Sequence, residues 1–176
     1  MEANASGKKT GLPPVVDPGC RLLILGSMPG EASLQAQQYY GHPRNAFWPL
    51  LYGLLDGGEP SGIYAERLQF ALGRGVALWD VLRECEREGS LDAAIRKAEA
   101  NDFRAFFAAY PGITHVFFNG SAAAQYFRRQ AAPQVEGLPL HYAVLPSSSP
   151  ARAMGLEAKR EGWLPVREAW LVSRQG

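Results

Sequence analysis

Four short runs of almost unbroken apolar residues constrain this chain more than anything else in it. They are RLLILG at 21–26, VALWDVL at 76–82, THVFFNG at 114–120 and LHYAVLP at 140–146. A strand with one wet face alternates apolar and polar residues. A run that is apolar at nearly every position fits a strand covered on both faces, as in a parallel sheet. Between the runs lie stretches with helical marks. Residues 64–75 space Tyr64, Leu68 and Leu72 four apart and end at Gly75. Residues 90–100 open with Ser90 as a cap, and residues 101–112 open at Asn101 and stop at Pro111. A helix follows Gly120, another starts at Phe47 and Trp48, and the C-terminal region is helical with a break or kink at Pro165.

This alternation predicts an α/β fold, a three-layer sandwich around a central four-stranded, mainly parallel sheet. A chain of 176 residues favours one core. Residues 20–176 are therefore expected to form a single domain, with 1–19 as a loose N-terminal arm. The net charge of +1 gives no global basic field, so any polyanion would have to meet local positive charge. Two cysteines, Cys20 and Cys85, are too few for an ordinary iron–sulfur cluster or a Cys₄ zinc site. They read as buried free thiols in a reducing cytoplasm. No run approaches the ~18 apolar residues that a membrane-spanning helix needs, and the opening stretch lacks the apolar centre of a signal peptide.

In open α/β folds, ligands bind at the carboxyl ends of the strands. Four loops follow such ends: GSMPGEAS, the turn around Asp80, NGS and PSSSPARA. In the first, Gly26 and Gly30 flank Ser27 and Met28, and Pro29 holds Met28 extended. Such a loop turns backbone N–H groups outward and lets a ligand approach the main chain. It matches neither a Walker A loop nor GxGxxG, and alone it is a plain strand-to-helix turn. In the last loop, Ser147, Ser148 and Ser149 stand between two prolines with Arg152 following, a rigid hydroxyl-rich stretch suited to a phosphodiester. There is no GxSxG elbow, and a Ser/Pro surface turn reads equally well.

The segment QQYYGHPRNAFW at 37–48 is more specific. Tyr39 and Tyr40 offer a stacking face, Gly41 leaves room beside it, His42-Pro43 turns the chain, and Asn45 presents an amide. Such a set can sandwich a flat heterocycle and hold a water or a polar edge. Phe47, Trp48, Leu50 and Leu51 read as core, which does not account for Tyr40, Gly41 or Asn45. His42, His115 and His141 lack ligand spacing, so no metal site is expected. Asp80 lies inside an apolar strand and needs either a partner or a function.

Taken together, GSMPGEASLQAQQYYGHPRNAFW and LPSSSPA resemble the hypoxanthine-DNA glycosylase branch of the uracil-DNA glycosylase superfamily, over residues 20–172. Mismatch-specific uracil/thymine glycosylases are similar in the first strand-loop, the aromatic-x-His-Pro-x-Asn-x-Phe-Trp segment, the FNG strand end and the Pro-Ser-Ser-Ser loop. The chain departs from them at Ser27-Met28, where those enzymes carry a catalytic Asn. It departs from hydrolytic uracil enzymes at Leu145, where they carry a His. The resemblance implies a monofunctional hydrolase of N-glycosidic bonds that acts on DNA containing deaminated bases. It implies no cofactor, no metal and no membrane, in a cytoplasmic chain that works as a monomer.

The resemblance also implies roles. Asn45 would be the catalytic group that positions the attacking water, Tyr40 would stack on the flipped base, and Gly41 would leave room for a purine. Ser27, Met28, Asp80 and Asn119 would bind the base. Ser147, Ser148 and Ser149 would clamp the DNA backbone, Arg152 would enter the vacated stack, and Lys159 and Arg160 are candidate phosphate contacts. An ionised Asp80 accepts hydrogen bonds without donating any. It would favour hypoxanthine, xanthine and uracil, which carry a ring N–H on the pairing edge, over adenine and cytosine, which carry a bare nitrogen. Alternatives are a uracil or broad-specificity glycosylase, a catalytically silent lesion binder, and an unrelated α/β enzyme.

Overall fold

In the computed structural model, which describes residues 7–175, β2 (Leu22–Gly26) is buried at every position and pairs in parallel with a strand on each side. Its neighbours are β3 (Val76–Asp80) and β6 (His115–Asn119), and β7 (His141–Leu145) pairs with β6 at the edge, giving the order β3-β2-β6-β7. The four expected strands are thus present and all parallel. Alternate residues point to opposite faces. Leu22, Ile24, Val76, Leu78 and Phe117 face one buried cluster, and Leu23, Leu25, Ala77, Val116 and Phe118 face another. The first is covered by α2 (Phe47–Leu54), α3 (Tyr64–Gly73) and α7 (Leu164–Ser173). The second is covered by α4 (Phe103–Ala109) and α5 (Ser121–Tyr126). This is the three-layer α/β sandwich. Only β7 departs from the expectation of strands covered on both faces: it leaves His141, Tyr142 and Val144 exposed, whereas β3 at the other edge is buried throughout.

Three further strands form a small antiparallel sheet that sequence periodicity does not reveal. It consists of β1 (Lys8–Thr10), β4 (Leu82–Glu86) and β5 (Arg96–Ala100) in the order β1-β4-β5. Two expectations are corrected here. Residues 8–10 pair with β4, Leu12 is buried, and Val15 bridges to Leu78, so this part of the N-terminal arm is built into the fold. Residues 1–6 lie outside the described residues. The helix expected over 90–100 is instead a single 3₁₀ turn at Asp92–Ala94 followed by β5. Ala, Lys and Glu favour helix by propensity, but Ile95, Ala98 and Ala100 pack against the second core, and that packing with the β4 ladder decides the conformation.

The break at Pro165 is present. α6 (Leu156–Gly162) ends at the fully buried Trp163, and α7 begins at Leu164 with Pro165 in its first turn. The Trp163 indole donates to the Pro146 carbonyl at 2.7 Å, which ties the C-terminal helices to the serine loop after β7. Both cysteines are free and buried.

Candidate active site

The four parallel strands deliver their carboxyl ends to one cavity of about 320 Å³. Gly26 and Asp80, the last residues of β2 and β3, are register partners, and Asn119 ends β6 opposite Leu145 of β7. The chain does not turn away after Asp80. Val81 N–H donates to the Gly26 carbonyl at 2.8 Å and Leu82 N–H to the Ser27 carbonyl at 3.1 Å, while the Asn101 amide donates to the Asp80 carbonyl at 2.8 Å. The main chain on both sides of Asp80 is thereby pinned, and its carboxyl is held at the cavity floor.

That carboxyl is 4% exposed, and its Oδ2 has no hydrogen-bond partner. Burial, and secondarily the charge of Asp92, push its pKa up to about 7, against the opposing charge of Arg87. Tyr40 lines the same cavity, and its hydroxyl is also buried with no hydrogen-bond partner. Burial and the nearby Asp80 push that phenol above its ordinary range, against the opposing pull of the Asn119 amide close by. Buried polar atoms are nearly always paired, so two unpaired ones at one cavity floor mark a place shaped for something else. Gly26 makes the arrangement possible, because a Cβ there would lie 2.5 Å from Asp80 Oδ1 and 3.4 Å from the Tyr40 hydroxyl.

One wall carries a hydrogen-bonded chain whose direction is fixed by backbone donors. Ser148 N–H donates to Asn119 Oδ1 at 2.9 Å, which leaves Asn119 Nδ2 to donate to Ser148 Oγ at 2.9 Å. Ser148 Oγ then donates to Asn45 Oδ1 at 2.7 Å, and Phe47 N–H donates to the same oxygen at 2.9 Å. Both lone pairs of Asn45 Oδ1 are therefore occupied, and its NH₂ edge is the part left for the cavity. Phe47, two residues after Asn45, stacks on the Tyr40 ring with centroids 3.9 Å apart, so only the opposite face of Tyr40 is left to meet a flat ligand. Tyr40 adopts a left-handed φ of 56°.

The opposite wall comes from residues that the sequence reading missed. Ser27 Oγ donates to Asp92 at 2.6 Å, and Ser90 Oγ accepts from Glu31 N–H at 2.8 Å, so residues 90–92 close over the GSMPG loop. Leu91 stands at the rim, 63% exposed. No signal in the sequence links residues 90–92 to residues 27–31; the contact exists only because β4 and β5 fold back beside them. Arg87, 2% exposed, donates from Nη2 to the Pro29 carbonyl and leaves Nε and Nη1 unpartnered, placing a buried positive charge against the loop.

Most of the expected site residues converge. Ser27, Met28, Tyr40, Asn45, Asp80, Asn119, Ser147, Ser148 and Ser149 all line the cavity. Three expectations change. Gly41 contributes no surface to the cavity; a Cβ there would meet Ala32 and Ser33, so it makes no room for a base. Ser148 is 1% exposed with its hydroxyl committed to two asparagines, so it does not offer that group to a DNA backbone. Lys159 is buried and donates to the Ser149 carbonyl at 2.9 Å, so it anchors the loop rather than reaching a phosphate. Arg152 is exposed beside the loop and outside the cavity lining. Among the described residues, no three His, Cys, Asp or Glu side chains gather as metal ligands.

The family model for the uracil DNA glycosylase superfamily matches residues 13–170. A hypoxanthine DNA glycosylase of Methanosarcina barkeri is 36% identical over 156 residues, covering 89% of this chain and 96% of that protein. One from Methanosarcina acetivorans is 35% identical over 158 residues, covering 90% and 97%. The solution NMR structure of a candidate uracil DNA glycosylase from Methanosarcina acetivorans superposes with a TM-score of 0.80 at 34% identity, over 93% of this chain and 99% of that one.

Proposed function

The chain belongs to the uracil DNA glycosylase superfamily, and from that premise we propose that it flips a deaminated base out of DNA and hydrolyses its N-glycosidic bond, with hypoxanthine preferred. One observation carries the reading. The unpaired Asp80 carboxyl and Tyr40 hydroxyl share a cavity with the Asn45–Ser148–Asn119 chain. The pairing edge of hypoxanthine sets a ring N–H beside an oxo group. An ionised Asp80 accepts from the N–H, and the Tyr40 hydroxyl donates to the oxo group. Adenine sets a bare ring nitrogen against the carboxylate, which can only accept, and so leaves a buried charge unsatisfied at a costly loss. The Tyr40 hydroxyl, which can also accept, orients the oxo group without excluding adenine.

In the reaction, a water oxygen bonds to the sugar carbon C1′ as the bond to the base breaks. The bonding pair leaves with the base as an anion, and the proton released by the attacking water passes through solvent. A solvent proton neutralises the base, and the products are free hypoxanthine and an abasic sugar. Asn45 has only N–H groups to offer, so it orients the water by donating to its oxygen and does not take the proton. Orientation suffices where the glycosidic bond is largely broken before attack and the sugar is oxocarbenium-like. The charge of Arg87 behind Pro29 favours the negative charge that grows on the departing base. Flipping costs a few kcal/mol and is easiest at a mismatched or damaged pair, which adds selectivity.

The test is cleavage of end-labelled duplexes carrying a deoxyinosine or a deoxyuridine, followed by alkali, in EDTA. Alkali-dependent nicking at inosine by the wild type, abolished in Asn45→Ala, is the expected result. Binding without any nicking would make the protein a lesion binder, and preferential nicking at deoxyuridine would overturn the base assignment.

A further inference from the structure

Ser148 uses every polar atom it has to join two separate parts of the site. Its N–H donates to Asn119 Oδ1 at 2.9 Å and its carbonyl accepts from Ala46 N–H at 3.0 Å. Its hydroxyl accepts from Asn119 Nδ2 at 2.9 Å and donates to Asn45 Oδ1 at 2.7 Å. The two asparagines lie on different elements, one at the end of β6 and the other in the loop before α2. They are otherwise unconnected in the hydrogen-bond network. The hydroxyl cannot turn round, because the two asparagine amides are themselves oriented by the Phe47 and Ser148 backbone N–H groups.

We propose that Ser148 is a positioning residue, whose buried hydroxyl locks Asn45 and Asn119 into one orientation with the Asn45 NH₂ edge turned to the cavity. The inference rests on the glycosylase reading and adds a residue that touches neither base nor DNA. Without the hydroxyl, one lone pair of Asn45 Oδ1 is released and the amide has a single anchor left, the Phe47 N–H. It can then rotate and present its oxygen as readily as its nitrogen, so a bound water is held in the wrong sense. The two main-chain bonds of Ser148 do not depend on its side chain. They keep the loop in place in Ser148→Ala, so the variant isolates the hydroxyl.

Single-turnover excision from a deoxyinosine duplex tests this, alongside the Kd for a 2′-fluoro-deoxyinosine duplex that resists cleavage. Ser148→Ala is expected to lose about 100-fold in rate, the size of effect that a displaced catalytic group produces, with Kd changed less than about threefold. Ser148→Thr, which keeps the hydroxyl, should recover at least part of the rate. The double variant Asn45→Ala/Ser148→Ala should be no slower than Asn45→Ala alone, because both changes remove the same oriented amide. A Ser148→Ala rate within twofold of the wild type, or losses that multiply in the double variant, would overturn the proposal. A wild type that excises neither hypoxanthine nor uracil would instead overturn the glycosylase reading beneath it. Loss of rate together with an equal loss of binding would show Ser148 to be merely structural.

Discussion

Gly26 and Asp80 face each other across the ends of β2 and β3, and a single methyl group on Gly26 would come within 2.5 Å of Asp80 Oδ1. The glycine is required by what lies beside it, not by its own backbone angles. Gly26→Ala should displace the carboxyl and fill the cavity floor. Excision of hypoxanthine is expected to fall by about 100-fold or more, with a thermal midpoint only a few degrees lower, by about 1–3 kcal/mol of overpacking. Single-turnover kinetics and a melting curve on one preparation check both.

Asp80 makes activity and stability move oppositely with pH. Its carboxyl is raised from 3.8 to about 7, so across that interval the folded state holds a proton that the unfolded chain has released. Stability from this group therefore falls as pH rises from 3.8 to about 7 and stays lower above that. The ionised form is the one that accepts a ring N–H, so hypoxanthine excision should rise through the same upper range. Asp80→Asn should flatten the excision profile and melt higher than the wild type at alkaline pH, with the gap closing in acid. Asp80→Ala that still discriminates hypoxanthine from adenine would remove the carboxylate from base selection.

Tyr40 is a direct test of edge reading against stacking. Tyr40→Phe keeps the ring on Phe47 and removes only the unpaired hydroxyl. If the hydroxyl donates to the oxo group, excision should fall about tenfold, close to the ~1.4 kcal/mol of one hydrogen bond. An unchanged rate would leave the ring as a stacking surface alone. Because a lone buried hydroxyl costs stability, the variant should also be as stable as the wild type or more so.

Leu91 and Arg152 are the two candidates for filling the place that a flipped base would leave. Leu91 is 63% exposed on the cavity rim, whereas Arg152 lies outside the lining. An apolar wedge holds a base pair open by filling the vacated stack. Leu91→Ala is expected to weaken binding to an inosine duplex more than to an unmodified one. Arg152→Ala should weaken both alike and flatten the salt dependence. Fluorescence anisotropy on the two duplexes at two salt concentrations separates them.

Gly162 carries a purely structural prediction. A Cβ there would sit 2.5 Å from Pro146 Cγ, at the root of the serine loop that Trp163 anchors. Gly162→Ala should cost about 1–3 kcal/mol in urea denaturation.

The apolar runs determined the parallel sheet by themselves: β2, β3 and β6 are buried on both faces and cannot disguise their composition, and β7, though largely exposed, carries the same run. The strand-end rule then located the cavity, and Ser27, Asn45, Asp80, Asn119 and the serines of 147–149 gather there. What the sequence could not decide was anything set by pairing between distant segments. β5 is written in helix-favouring residues and becomes a strand only because β4 lies beside it. Residues 90–92 join the site through that same ladder. Ser148 and Ser149 look alike as neighbours in a polar loop, yet one is sealed between two asparagines and the other stays at the cavity surface. Local chemistry is carried by residue type and spacing; the direction of a hydrogen bond depends on what else is within 3 Å, and only the folded chain fixes that.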